Sequence, residues 1–145
     1  MVSVFTQEDE ISNSLFDKGR QKFLEGSIAW LTDDIKAALI DAADYTVNLG
    51  TDEFLSDVAG GAIVSTSANF SGKTSTGGVA DADDIAFTLV TGDQSEALII
   101  YKDTGSAATS PLIAYIDSAT GLPFTPTGGS IDVGWSNGSN KIFRL

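Results

Sequence analysis

The sequence predicts a mainly β fold: a single antiparallel β-sandwich or partly closed barrel with one N-terminal α-helix. Three observations predict it. After Gly26 the apolar residues recur with period two or in short unbroken runs. Turn material separates these runs at roughly ten-residue spacing, as at Gly92-Asp93, Thr104-Gly105, Thr120-Gly121, Gly128-Gly129 and Asn137-Gly138. The acids are mostly Asp, a turn residue, and seldom Glu, a helix former. With 145 residues, 42% of them apolar, the chain suits one domain over 1–145 that buries a core without disulfides.

The elements follow in order. Residues 1–13 read as an arm or a short edge strand: Val2, Val4 and Phe5 alternate weakly before the acidic Glu8-Asp9-Glu10. Residues 14–26 read as the helix. Ser12 or Ser14 suits its cap, Leu15, Phe16, Gly19, Phe23 and Leu24 fall on one face, and Gly26 supplies a left-handed stop. Gly19 lies inside that apolar face, where glycine costs about 1 kcal/mol against alanine. A close backbone approach explains it.

Residues 28–145 read as the β-rich core. Ile28-Ala29-Trp30-Leu31 leads through Thr32-Asp33-Asp34 into a largely buried strand, Ile35 to Ile40. Thr51 to Asp57 reads as one helical turn capped by Thr51. Further strands are expected at 62–65, 68–71, 78–79, 85–90, 96–101, 112–116, 131–135 and 142–145, with Asn137-Gly138 as a tight hairpin turn before the last. The expected core is Leu15, Phe16, Phe23, Trp30, Ile35, Leu39, Phe54, Leu55, Ile85, Phe87, Leu98, Ile100, Ile113, Tyr115, Val133 and Trp135.

Composition excludes much chemistry. The chain has no Cys and no His. Thiolate nucleophiles, zinc fingers and Ser-His-Asp triads are therefore excluded. Acid–base work near neutral pH falls to carboxylates, Lys or Tyr, and no two of the scattered acids stand out as a pair. Twenty acids against eight bases give a net charge of −12. That balance argues against direct nucleic-acid binding and against an anionic membrane surface. No signal peptide and no apolar run of membrane-spanning length is apparent, so the protein is expected to be made in the cytoplasm.

The candidate motifs are weak. Gly72-Lys73-Thr74 ends like a phosphate-binding loop, but Ser67 stands where the first glycine belongs, so a polar loop is the better reading. Asp81, Asp83 and Asp84 offer oxygen ligands for Ca²⁺ without the EF-hand pattern, and a solvated turn is the simpler use. Asn69-Phe70-Ser71 and Asn137-Gly138-Ser139 match a glycosylation triplet that arises easily by chance. Trp30, Trp135, Tyr45, Tyr101 and Tyr115 suit packing better than a sugar or receptor site. No catalytic residue, cofactor or metal ligand is assigned.

Charge distribution says more. Between Ala37 and Asn140 thirteen acids face only Lys73 and Lys102. The other bases gather at the helix (Lys18, Arg20, Lys22), at Lys36 and at the C-terminal stretch (Lys141, Arg144). The plain reading is that the acidic part is simply a soluble surface; the sharper one is a polarised module whose basic helix and termini face an acidic neighbour while the acidic lobe faces solvent. The expected interface comprises Lys18, Arg20, Lys22, Val2, Val4, Phe5, Ile142, Phe143, Arg144 and Leu145. Both apolar ends suit strands added to a neighbour's sheet edge, and equally suit closure of the chain's own sheet.

Several stretches resemble small virion proteins of tailed bacteriophages: Leu15-Phe16-Asp17-Lys18-Gly19-Arg20 through Phe23-Leu24-Glu25-Gly26 to Trp30; Asp34 to Asp41 with Tyr45; Thr51 to Asp57; Val79 to Asp84; Ala97 to Gly105; Leu112 to Asp117; and Thr120-Gly121-Leu122-Pro123. The resemblance covers nearly the whole chain in order. It implies a structural protein of the phage virion, of the capsid decoration (cement) type, with neck, tail or fibre-adaptor roles as the alternative. The implied partners are the major capsid protein or other virion proteins, with self-association on the particle. The resemblance carries no catalytic residue. A carbohydrate- or receptor-binding module is the reading from a different class.

Overall fold

The computed structural model describes residues 15–145, together with the backbone of residues 2–7. In chain order the elements are β1 (Val2–Gln7), α1 (Asp17–Leu24), β2 (Ile35–Ile40), β3 (Ile63–Thr66), β4 (Val79–Ala80), β5 (Ile85–Phe87), β6 (Ala97–Lys102), β7 (Leu112–Ile116), β8 (Ala119–Thr120), β9 (Ser130–Gly134) and β10 (Phe143–Arg144). Short 3₁₀ turns punctuate the loops, among them Leu55–Asp57 and Thr76–Gly78.

The largely apolar strands β2, broken only by Lys36, β6 and β7 lie side by side in one antiparallel sheet of order β3-β2-β6-β7. Runs of this kind, lacking alternation, mark strands covered on both faces. Ile35, Ala37, Leu39, Leu98, Ile100 and Ile113 face a second sheet of order β5-β9-β1-β8, and meet its Ile85, Phe87, Ile131 and Val133. Ala38, Ile40, Ala97, Ile99 and Tyr101 point the other way, onto Phe16 and onto Tyr45, Val58 and Ala62 of the long 41–62 connection. The result is a mainly β sandwich with an added loop layer. Neither sheet closes into a barrel.

The second sheet differs from expectation in one respect. β1 pairs parallel with β9 and antiparallel with β8, so it is an inner strand and not an edge. β8 meets only Thr6 and Gln7, whereas β9 runs along Val2–Thr6 on the other side. The expected hairpin at Asn137-Gly138 is also absent. β9 pairs with β1 and β5, β10 pairs with β4, and residues 135–142 carry the chain between sheets. The side chains of Val2, Val4 and Phe5 and the proposed cap at Ser12 or Ser14 lie outside the described residues.

The helix is shorter than its sequence pattern. It starts at Asp17 with Phe16 in extended conformation, because Leu15 bridges to Ala114 and the Phe16 N–H donates to Ile113 O at 3.0 Å. It stops as expected: Gly26 adopts φ +78°, Ser27 N donates to Lys22 O at 2.8 Å and Gly26 N to Phe23 O at 3.2 Å. This is the Schellman arrangement. Leu24, placed on the apolar face by the pattern, is 90% exposed. The helix meets β7 through Gly19, and a Cβ there would stand 2.5 Å from Leu112 O. The close approach read from the sequence is present.

Other elements deviate for local reasons. The 68–71 segment is not a strand, although Ser67 N and Phe70 N donate to Ala37 O and Ile35 O and continue the β2 edge irregularly. β5 ends at Phe87, two residues before Leu89 turns to φ +51°. The helical turn forms at Leu55–Asp57, where the Asp57 carboxylate accepts the Glu53 and Phe54 N–H groups. Thr51 is not its cap. Among the expected core residues, Phe23, Phe54 and Leu55 are only half-buried and the rest are buried.

Candidate docking groove

Where α1 ends, the chain turns back under its own helix. Asp33 holds that turn: its carboxylate accepts the Ala29 N–H at 2.7 Å and pairs with Lys102 at 3.0 Å. Lys102 also donates to Ser27 O at 2.9 Å, and Lys73 donates to Asp33 O. Lysines from two distant segments thus pin residues 27–33 against the central sheet.

The pinned turn carries Trp30. Its indole N–H donates to Thr74 O at 3.0 Å, and its ring stands edge-on to Phe70 (6.1 Å) and Phe143 (5.2 Å). Phe143 in turn contacts Phe23 of α1 at 5.9 Å. Such edge-to-face geometry is preferred by aromatic pairs. β10 reaches this position by pairing with β4, Phe143 opposite Ala80. Three chain segments distant in sequence therefore enclose one hollow.

The hollow is a groove of about 430 Å³ lined by Phe23, Ala29, Trp30, Leu31, Thr32, Ser75, Gly78, Ala80, Phe143 and Leu145. No ionisable side chain lines it. Its rim presents Leu31 (54% exposed) and Leu145 (59% exposed), and Leu24 stands next to Phe23 on the helix. Three of the four large apolar side chains exposed among the described residues thus belong to this end of the molecule. Large apolar side chains clustered around a groove mark an interaction site.

The structure distributes the expected interface residues unevenly. Ile142 and Phe143 are buried in the main core, so these two serve closure of the chain's own fold, while Arg144 and Leu145 stay at the surface. On the helix, Lys22 pairs with Glu53 at 2.8 Å and lies 5.0 Å from the Phe54 ring centre. Arg20 pairs with Asp17 at 3.2 Å on the surface. The helix is therefore not an open cationic face. Lys18 alone of its three bases has no polar partner among the described residues.

The other candidates resolve into structural roles. Asp83 accepts Ser71 Oγ at 3.0 Å, Asp84 accepts the Trp135 backbone N–H at 3.1 Å, and Asp81 bridges to Thr74 through its backbone. These three carboxylates do not converge as a Ca²⁺ site. Asp41, Asp44 and Asp93 do bring carboxylate oxygens within 4.8 Å of one another, a grouping the sequence analysis missed because Asp93 comes from a distant turn. The Lys73 of the phosphate-loop fragment serves the Asp33 turn. Trp30, Trp135, Tyr45, Tyr101 and Tyr115 are all buried, as packing residues should be. No helix among the described residues is long and apolar enough to cross a membrane.

Comparison with protein-family models gives no match, and comparison with curated protein sequences gives none either.

The groove's foundation is acid-sensitive. Burial pushes the Asp33 carboxyl up, but the Ala29 N–H, Lys102 and Lys73 outweigh it and hold its pKa below the ordinary carboxylate value. A group whose folded pKa is depressed stabilises the fold above its unfolded value of about 3.9 and loses that contribution as pH falls through the folded value. Asp33→Asn is accordingly expected to destabilise at pH 7. Its cost should shrink towards zero as pH falls below about 4. Urea midpoints of both proteins between pH 7 and 3 check this, and a cost that is constant with pH contradicts it.

Proposed function

We propose that this protein is a structural component of a tailed-phage virion, a head decoration (cement) protein that binds the capsid shell and stabilises it without catalysis. The sequence resemblance supports the family reading. The observation that carries a binding role is the groove at the α1–β10 end, an aromatic floor with exposed Leu31 and Leu145 at its rim. A shell-reinforcing protein works by surface contact with a rigid body, and a sheet buried on both faces is such a body. The strong negative charge keeps many free copies apart before assembly and gives packaged DNA nothing to attract. On this reading the partners are the major capsid protein and neighbouring copies on the particle, and the location is the virion.

Quantitative mass spectrometry of purified particles tests the proposal. Hundreds of copies per particle are expected. A dozen or fewer favour a neck or tail component, and absence from the particle overturns the virion reading.

A further inference from the structure

We propose that Asn137 is a site of spontaneous covalent modification: it loses its side-chain amide through attack by the Gly138 backbone nitrogen, at a rate that Ser136 restrains. The proposal is independent of the virion reading.

The sequence suits Asn137-Gly138 to a hairpin turn, and the structure gives the pair no such use. A type I′ turn needs positive φ at both central residues, and neither residue has it. Residues 135–142 belong to no strand. Asn137 is exposed, and its carboxamide has no hydrogen-bond partner among the described residues. The side chain is therefore free to swing towards its own backbone. Gly138 has no Cβ to stand between its nitrogen and that carboxamide.

The reaction is intramolecular and needs only water and hydroxide. Hydroxide takes the Gly138 N–H proton, and the nitrogen bonds to Asn137 Cγ. The side-chain nitrogen takes a proton from water and leaves as ammonia. The succinimide ring that remains takes up one water. Breaking the bond from Gly138 N to Asn137 Cγ gives aspartate. Breaking the bond from Gly138 N to the Asn137 backbone carbonyl carbon gives isoaspartate, with the chain rerouted through Cβ and Cγ. Either product adds one negative charge. Isoaspartate also adds one backbone atom between the buried Ser136 and Asn140, on the stretch that leads to β10 and the groove wall.

The other asparagines lack this combination. Asn48 precedes Leu49, and its Oδ1 accepts the Gly50 N–H at 3.1 Å. Asn69 is exposed, but the next nitrogen, Phe70 N, donates to Ile35 O at 2.7 Å and belongs to a buried aromatic residue. Asn140 is buried and precedes Lys141. Asn13 precedes Ser14 and lies outside the described residues.

The fold also holds the reaction back. Ser136, 6% exposed, accepts the Gly138 N–H on its Oγ at 3.0 Å, the pattern of a serine turn. The proton that must leave is bound there, and a neutral hydroxyl does not take it. Ser136→Ala is accordingly expected to speed the loss of the amide about threefold to tenfold in the folded chain, the factor that one hydrogen bond supplies.

Peptide mass spectrometry on the purified full-length chain, aged in mildly alkaline buffer against a fresh sample, tests this. Fragmentation locates each asparagine that has become an acid, and labelling by protein isoaspartate methyltransferase counts the isoaspartate. Conversion is expected at Asn137 ahead of Asn48, Asn69 and Asn140, with isoaspartate among the products. Ser136→Ala should convert faster while folded and at the wild-type rate in urea, where the hydrogen bond is gone from both. If Ser136→Ala does not fold, wild-type chain in urea reads the same restraint, and should convert at least threefold faster than folded wild type. Another asparagine converting first, or no conversion at Asn137, overturns the proposal. So does an unchanged rate in folded Ser136→Ala, an acceleration of equal size in urea, or equal rates for folded and unfolded wild type.

Discussion

Trp30→Ala is expected to destabilise the protein by about 3–5 kcal/mol, the range for removing a large aromatic from a packed site. Trp30 is 6% exposed and joins three segments: its own turn, Phe70 and Phe143 by ring contacts, and Thr74 by its indole N–H. Truncation removes those ring contacts and the indole donor together, while the Thr74 carbonyl keeps the Asp81 N–H at 3.1 Å. A protein of this size is typically stable by about 5–15 kcal/mol, so the loss is a large share of the whole. Trp30→Phe separates the two contributions. It keeps most of the ring packing and removes only the donor, for an expected cost of about 1–2 kcal/mol. Denaturant unfolding followed by circular dichroism measures both. Similar costs for the two variants contradict the ring-packing account. Binding at the groove should fail in Trp30→Ala even under conditions where the chain stays folded.

Gly19→Ala poses a contest of signs. Helix propensity favours alanine by about 1 kcal/mol. The structure opposes it, because the new Cβ would stand 2.5 Å from Leu112 O and 3.2 Å from Ile113 Cα. Both are backbone atoms of β7, a fully buried strand at the edge of its sheet, and cannot rotate away, so α1 must lift from β7. Overpacking of this kind costs typically 1–3 kcal/mol, and more where two elements must separate. Net destabilisation of about 1–2 kcal/mol is expected for Gly19→Ala and more for Gly19→Val. Gln21→Ala on the exposed side of the same helix is the control, and should stay within about 0.5 kcal/mol. If Gly19→Ala stabilises the protein, the close helix–strand approach is wrong.

Local pattern made some features legible and left others hidden. β2, β6 and β7 stand out because a strand buried on both faces needs a largely apolar run, and no charged neighbour interrupts Ala97 to Tyr101 or Leu112 to Ile116. Gly19 and Gly26 were legible because each glycine answers a specific steric demand, a near backbone in one case and a positive φ in the other. The parallel pairing of β1 with β9 was not legible, since it joins residues 2–6 with 130–134 and leaves no local period. Leu24 misled because the helical period continued one residue past the last packed turn. The basic helix looked open because its partner for Lys22, Glu53, comes from another segment.

The groove was only partly legible. Phe23 and Trp30 were read as core, and they do touch it, but their outward edges form the groove floor. The short run Ile28 to Leu31 hinted at more apolar surface than one turn can bury. The shape itself depends on residues 23–32, 75–80 and 143–145 meeting, and no spacing within one segment encodes that.

The central claim is a non-catalytic body that docks on a virion shell through its α1–β10 end. A cryo-EM reconstruction of the purified particle tests it most directly. The account predicts density for this sandwich in many copies on the outer head surface, with Leu31, Arg144 and Leu145 turned towards the shell. Particles that lack the protein contradict it, and so does a bound copy whose groove faces open solvent.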